Sequence, residues 1–519
     1  MSKSLIRSTA VVSAMTLISR VMGLVRDVLF ATLFAASAGM DAFLIAFKIP
    51  NFGRRLFAEG AFNQAFVPVL TETKTRNEAE VKELVNVVAG TLGGILVVVT
   101  IVGIVIAPLM IMLFAPGFID DPRKFDLTSD MLRITFPYLL FISLTAFAGG
   151  ILNSYGRFAV PAFTPVLLNV CFICAALWLA PQFDEPVMAL AIGVFVAGVV
   201  QLALQLPFLA RLGLLPRPRW GWAHERVRRI IKLMLPVLFG SSVAQISLLL
   251  DMVVASFLVT GSVSWLYYSD RLMEFPLGVF SIAVATVILP ALSARHAESS
   301  AQAFSHTMDW ALRLLLIIGT PAMVALFVLS GPLLVTLFQY NAFTAHDVLM
   351  SRYSLMAYAF GFMGFSLVKV LLPGFYSRQD TRTPVRFGVI ALLVNMVLNV
   401  ALVVAIVALD GPAPHAGLAL ATSAGAFVNA GLLYRRLRAD AVYLPEKGWA
   451  SLLLKAALAN VVMAAVLIWL GGDINHWLSL GLWARLQELL ILVAVGGGSY
   501  FLVLAACGIR PRQFIMSQQ

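Results

Sequence analysis

The sequence predicts an all-α polytopic membrane protein of about fourteen transmembrane helices, in two pseudo-symmetric six-helix lobes plus two C-terminal helices. Three observations carry this. Of 519 residues 60% are apolar and 12% charged, with a mean hydropathy of +0.92, against about 25% charged in soluble domains. Apolar runs near 20 residues recur from end to end, each long enough to cross ~30 Å of hydrocarbon. The third observation is an internal repeat. Barrel strands would alternate polar and apolar residues in short segments, and this chain does not. Helices, which satisfy their own backbone inside lipid, remain.

The spans fall at 8–34, 40–72, 86–114, 128–153, 160–181, 187–211, 227–258, 263–294, 307–339, 347–376, 385–409, 415–436, 449–471 and 484–508. Span 1 follows Lys3 and Arg7 as a signal peptide would. Arg20, Arg26 and Asp27 then interrupt it with no small-residue cleavage site before them, so it reads as a retained helix. Span 2 is the most charged and carries Pro50, which kinks a helix. Spans 3–6 are apolar; Cys171 and Cys174 in span 5 lack nearby further ligands and read as small packing residues. Span 7 holds one carboxylate, Asp251, and span 8 is charged again.

The repeat spans about 224 residues. "APLMIMLF" at 107–114 matches "GPLLVTLF" at 331–338, Ser154 pairs with Ser377 ahead of Pro161 and Pro384, and Pro68 pairs with Pro290. Each copy holds an even number of spans, so both enter the membrane in the same sense, as parallel repeats do. The expected organisation is an N-lobe at 1–212, a C-lobe at 226–440 and an appendage, spans 13 and 14, at 449–508. Such repeats suit alternating access, and a duplicated scaffold without transport is the competing reading.

Lys and Arg set the orientation. One side carries Lys3, Arg7, Lys74, Arg76, Lys82, Arg157, the 217–229 arginines, Arg378, Arg382, Arg435, Arg436 and Arg438; the other holds only Arg123 and Lys124 beside several acids. By the positive-inside rule both termini are cytoplasmic. Much of the net charge of +11 is therefore topology signal facing anionic lipid headgroups. No aromatic-plus-basic soluble module accompanies it, and nucleic-acid binding is excluded.

An ionisable group at mid-bilayer costs about 2.5–3.5 kcal/mol on insertion scales. Here they concentrate in three spans: Arg20, Arg26 and Asp27 in span 1; Asp41, Lys48, Arg54, Arg55 and Glu59 in span 2; Asp270, Arg271 and Glu274 in span 8. At helical spacing Asp41, Lys48, Arg55 and Glu59 fall within about 40° of one another. Arg20 and Asp27 share a face, as do Asp270 and Glu274. Such stripes face each other or water, not lipid. Internal salt bridges account for part of the set. The small positive excess predicts a cavity for an anion, Arg being suited to bidentate phosphate recognition. Asp251, with Asn395 and Asn399 on one face of span 11 and Thr422 in span 12, suits Na⁺ or proton binding. A protonated Asp251 in an interhelical hydrogen bond is the equal alternative. No ATP-binding loop, H-E-x-x-H motif or long extramembrane domain occurs, and the six histidines form no cluster in sequence.

"SRVMGLVRD" (19–27), "DAFLIAFKIPNFGRRLFAEGAFNQAFVPVL" (41–70), "GSVSWLYYSDRLMEFPLGV" (261–279) and "PGFYSRQDTRTP" (373–384) closely resemble the MurJ/MviN lipid II flippases of the multidrug/oligosaccharidyl-lipid/polysaccharide exporter superfamily. The resemblance implies transfer of undecaprenyl-pyrophosphate-linked peptidoglycan precursor between leaflets by alternating access. It implies substrate contacts at Arg20, Arg26, Arg54, Arg55 and Arg271, associated acids at Asp27, Asp41 and Glu59, and a cation site at Asp251, Asn395, Asn399 and Thr422. Asp270 and Glu274 join the charge partners. The expected protein is a monomeric, multi-pass transporter of the bacterial inner membrane, not an enzyme. It needs no cofactor beyond Na⁺ or H⁺ coupling, and its partners are lipid II and membrane lipids. Rival readings are a same-fold exporter of another lipid-linked oligosaccharide or drug, and a membrane glycosyltransferase, which the short loops disfavour.

Overall fold

The computed structural model describes residues 3–55, 62–283, 288–297 and 300–509. Among them every regular element is helical. Span 1 is α1 (Lys3–Phe34), and span 2 corresponds to α2 (Ala38–Arg54) and α3 (Phe62–Arg76). Span 3 divides into α4 (Ala79–Val105) and α5 (Ala107–Phe114), and span 4 into α6 (Pro122–Thr135) and α7 (Tyr138–Ser154). Spans 5, 6 and 7 are α8 (Ala159–Cys174), extended by a π turn, α9 (Met188–Arg211) and α10 (Glu225–Ser256). Span 8 corresponds to α11 (Ser262–Ala283) and α12 (Leu289–Ala297). Spans 9 and 10 are α13 (Ala301–Val328) with α14 (Ser330–Phe338), and α15 (Ala345–Leu371) with α16 (Pro373–Tyr376). Then follow α17 (Arg382–Ala408), α18 (Pro414–Ala439), α19 (Trp449–Gly471), the short α20 (Ile474–Ser479) and α21 (Leu482–Ala506). Ten helical segments among the described residues are long and apolar enough to cross a membrane. Spans 1, 2, 7 and 8 are not among these; their helices include those that carry the charges.

The chain forms two compact units, Met1–Ser264 and Trp265–Gln519. In the first, α1 packs on α8, α2 on α6, and α7 on α9. Phe30, Phe43, Phe47 and Phe172 form an aromatic box with centroids 5.4–6.0 Å apart, edge-to-face except for Phe43 and Phe47, which stack, both being favoured ring geometries. The arginine-rich segment after α9 is laid along α4. Arg217 and Arg219 donate backbone N–H bonds to Asn86, and Gly221 donates to Thr91. Gly90 permits this, because a Cβ there would lie 2.2 Å from the Arg219 carbonyl. In the second unit α15 and α18 pack closely at Gly361, where a Cβ would meet Ser423 Oγ at 2.2 Å.

Local backbone geometry recurs at the spacing of the sequence repeat. The break between α4 and α5 sits at Ile106 (φ −90°, ψ 11°), and that between α13 and α14 at Leu329 (φ −88°, ψ 12°). The turn after α7 closes with Arg157 N–H on Leu152 O around Gly156 (φ 74°). The turn after α16 closes with Asp380 N–H on Phe375 O around Gln379 (φ 60°). Both are left-handed helix C-caps.

Candidate functional site

Four of the five arginines selected from the sequence lie in the first unit. Arg26 is 8% exposed and Asp27 3%. The guanidinium folds onto its neighbour: Nε and Nη2 donate to Asp27 Oδ1 at 2.9 and 2.7 Å, and Nη1 donates to Asn169 Oδ1 at 3.0 Å. Asn169 in turn donates to Ser19 O of α1, and the Arg26 cation lies 5.7 and 5.4 Å from the Phe30 and Phe172 ring centroids. Helical phase placed Arg20, not Arg26, on the face of Asp27. The side chain that bonds Asp27 is the adjacent one, because a long guanidinium can fold back where a helical wheel sees divergence. Arg20 is part-buried and makes no ion pair among the described residues.

On α2 the charged stripe resolves into separate environments. Arg54 Nε donates to Asn51 Oδ1 at 2.6 Å; Lys48, Arg54 and Arg55 are part-buried. Glu59 lies outside the described residues. Asp41 is 1% exposed and receives four donors. Gly261 N–H reaches Oδ2 at 2.8 Å, Ser264 N–H and Oγ reach Oδ1 at 3.0 and 2.7 Å, and Lys124 Nζ lies 3.3 Å from Oδ2. The carboxylate thus takes the place of an N-cap for α11, whose first N–H groups have no intrahelical partner. Lys124, 6% exposed, is stacked 4.1 Å over the Phe118 ring.

The second unit holds Asp270, Arg271 and Glu274, all part-buried. Arg271 Nη1 donates to Glu274 at 2.8 Å and its guanidinium lies 5.1 Å from the Tyr267 ring centroid. Asn395, Asn399 and Thr422 do come together: Asn399 Nδ2 donates to Asn395 Oδ1 at 2.7 Å, and Asn395 Nδ2 to Thr422 Oγ1 at 3.3 Å. Asp251, the remaining member of the expected cation set, belongs to α10 in the first unit. Among the described residues no three His, Cys, Asp or Glu side chains gather as a metal site.

Sequence reading passed over three polar residues that structure brings forward. Lys124 falls between two spans in the sequence. Asn169 sits in an apolar span, and its i→i+143 pairing leaves no local signal. Arg485 of α21, 5% exposed, spends its donors on carbonyl oxygens alone. They reach Trp477 O, Leu478 O, Val335 O, Gln339 O and Gln339 Oε1 at 2.6–3.2 Å. Most of those carbonyls belong to the C-terminal turns of α14 and α20, where the helix dipole favours a cation. A lone Arg at the rim of an otherwise apolar span was the available clue.

Ten long apolar helical segments among the described residues define a polytopic membrane protein, and it keeps buried arginines. The fold is shared with an inward-facing multidrug resistance MATE family transporter of the MOP superfamily, which superposes with a TM-score of 0.62 over 82% of this chain and 95% of that one, at 15% identity. The chain belongs to the lipid II flippase MurJ family, whose family model matches residues 30–486. It is 50% identical to a probable lipid II flippase MurJ of Vibrio cholerae serotype O1, over 98% of this chain and 97% of that protein. It is also 42% identical to the lipid II flippase MurJ of Burkholderia cenocepacia, over 90% of each. A solved lipid II flippase MurJ in an inward closed conformation superposes with a TM-score of 0.79 and 27% identity, over 95% of this chain and 98% of that one.

Proposed function

We propose that this protein moves lipid II, the undecaprenyl-pyrophosphate-linked peptidoglycan precursor, from the cytoplasmic to the periplasmic leaflet of the bacterial inner membrane by alternating access. The observation that carries the reading is family membership over nearly the whole chain, in a sequence that keeps five arginines at membrane depth. A pyrophosphate carries its charge on oxygens that guanidinium forks match in pairs. Arg20, Arg54, Arg55 and Arg271 are only part-buried, so substrate can reach them. Arg26, held by Asp27, Asn169 and two rings, forms a neutral pair with Asp27 and fixes the wall from within. Asn51 and Glu274 pre-orient Arg54 and Arg271, which lowers the ordering entropy on binding.

Both termini face the cytoplasm, as the Lys and Arg distribution requires, and the protein works as a monomer. Spans 13 and 14 serve the polyprenyl tail. A cation, Na⁺ or H⁺, at Asp251 with Asn395, Asn399 and Thr422 couples transport to an ion gradient. The test is translocation of lipid II by purified protein in proteoliposomes, read as accessibility of the headgroup to an external probe. Transport of lipid II, and none by an Arg271→Ala variant of equal insertion, is the expected result. No transport by the parent, or equal transport of an unrelated lipid-linked oligosaccharide, overturns the reading.

A further inference from the structure

The motif "PGFYSRQDTRTP" at 373–384 has no part in the scheme above, and its turn is unlike its counterpart in the first copy. After α7, Ser154 Oγ donates to Gly150 O, the Ser154 carbonyl accepts from Lys74 Nζ at 3.1 Å, and the left-handed position is a glycine, Gly156. Every polar group named there is satisfied, at no conformational cost. After α16, 223 residues on, the same turn carries Ser377, Arg378 and Gln379. Ser377 Oγ and Arg378 Nη1 are both closed off from solvent and make no hydrogen bond among the described residues. Gln379 sits at φ 60°, a conformation disfavoured for a residue with a Cβ. An unsatisfied buried donor costs about 1–3 kcal/mol, and more when charged. Two side by side, in a turn whose twin has none, is an arrangement that a ligand would relieve.

The turn itself is firmly built. Asp380 accepts the Thr383 N–H at 3.0 Å. Burial pushes its carboxyl up, but hydrogen bonds from Thr383 and Arg382 and the charge of Arg378 outweigh this and hold it below the usual range. It stays an anion, and with Arg378 and Arg382 it leaves the turn one positive charge in excess. Arg378 as a whole is part-buried and Gln379 and Arg382 are exposed, so a ligand meets the turn from the open side and reaches the covered donors once the Arg378 side chain turns toward it.

We propose that the Ser377–Arg382 turn binds a phosphoryl group, with Arg378 and Ser377 as donors. Two sources share that chemistry: the pyrophosphate of the lipid-linked substrate and the phosphodiester of an anionic phospholipid headgroup. The first source rests on the function proposed above and the second does not.

The experiment uses the full chain in detergent and counts bound lipid by native mass spectrometry, with undecaprenyl pyrophosphate and phosphatidylglycerol as separate probes. Variants are Arg378→Gln, Ser377→Ala and, as a control in the first copy, Arg157→Gln. A lost charge-assisted hydrogen bond predicts affinity reduced on the order of tenfold for Arg378→Gln, less for Ser377→Ala, and no change for Arg157→Gln. Arg378→Lys should recover part of the loss, and all variants should melt with the parent. Loss confined to undecaprenyl pyrophosphate assigns the turn to substrate; loss for phosphatidylglycerol assigns it to the headgroup. Unchanged binding of both probes to Arg378→Gln overturns the proposal while leaving lipid II transport by the parent untouched, as does a loss matched by Arg157→Gln.

Discussion

Arg26 donates three hydrogen bonds and lies against two aromatic rings while almost wholly buried. Its alkyl stem and ring contacts fill volume, and its charge offsets that of Asp27. Replacing it by Ala removes the guanidinium and leaves the Asp27 carboxylate in a low-dielectric setting, a change that costs about 3–5 kcal/mol when one partner of a buried pair is deleted. Arg26→Ala should therefore lose translocation and also melt well below the parent, whereas Arg20→Ala, with no ion pair among the described residues to break, should lose translocation at parental stability. Thermal melts in detergent beside proteoliposome transport check both halves. A parental melting point for Arg26→Ala would mean the buried network carries little of the fold. Asn169→Ala deletes one hydrogen bond to the cation and should cost about 1.5–3 kcal/mol.

At the scale of elements, two helices are held by charges that come from elsewhere in the chain. The start of α11 is capped from α2 by Asp41. Asp41→Ala strands the Gly261 and Ser264 N–H groups and the Lys124 ammonium, while Asp41→Asn keeps one capping oxygen. The expected order of stability is parent, Asn, Ala, with Ala lowest by more than the ~1 kcal/mol of an ordinary cap. Hydrogen exchange over residues 261–265 should follow the same order, and equal protection in all three would remove Asp41 from the capping role. Arg485 holds α21 to the ends of α14 and α20, with Asn460 to Thr320 at 2.9 Å and Tyr500 to Ile317 O at 2.8 Å as further ties of the last two spans to α13. Arg485→Met fills similar volume without donors. Exchange in α20 and the first turn of α21 should then speed up while α15 and α18 stay protected.

At the scale of the whole molecule, the question is what drives the cycle. On the coupling proposed above, one cation at Asp251 would neutralise one charge and could bias two states by a few kcal/mol, roughly a hundredfold in their ratio. Transport by the parent should rise with Na⁺ at fixed pH and potential, and Asp251→Ala should be flat. A parent indifferent to Na⁺ but responsive to pH would assign the site to protons instead. The amide pair Asn395 and Asn399 is already hydrogen-bonded within itself and to Thr422, so Asn399→Ala should weaken Na⁺ dependence without abolishing expression.

By itself the sequence determined the class of fold, the placement of the helices and the repeat. Each of these is written in quantities that accumulate along the chain: hydropathy over 20 residues, the sign of loop charges, spacing between similar segments. Helices in lipid must satisfy their backbones locally, so such one-dimensional sums suffice. The 107–114 and 331–338 matches, expected only as the ends of two continuous spans, are separate helices, α5 and α14, behind near-identical backbone kinks. What only the tertiary structure decided is the partner of each buried charge. Asp41 meets Lys124 and residues 261–264, Arg26 meets Asn169, and Arg485 meets Gln339, across 83 to 223 residues. Helical phase gives the direction in which a charge leaves its own helix and says nothing of which helix stands there. In a medium without water every such group must find a partner, so the sequence announces that partners exist and packing alone chooses them.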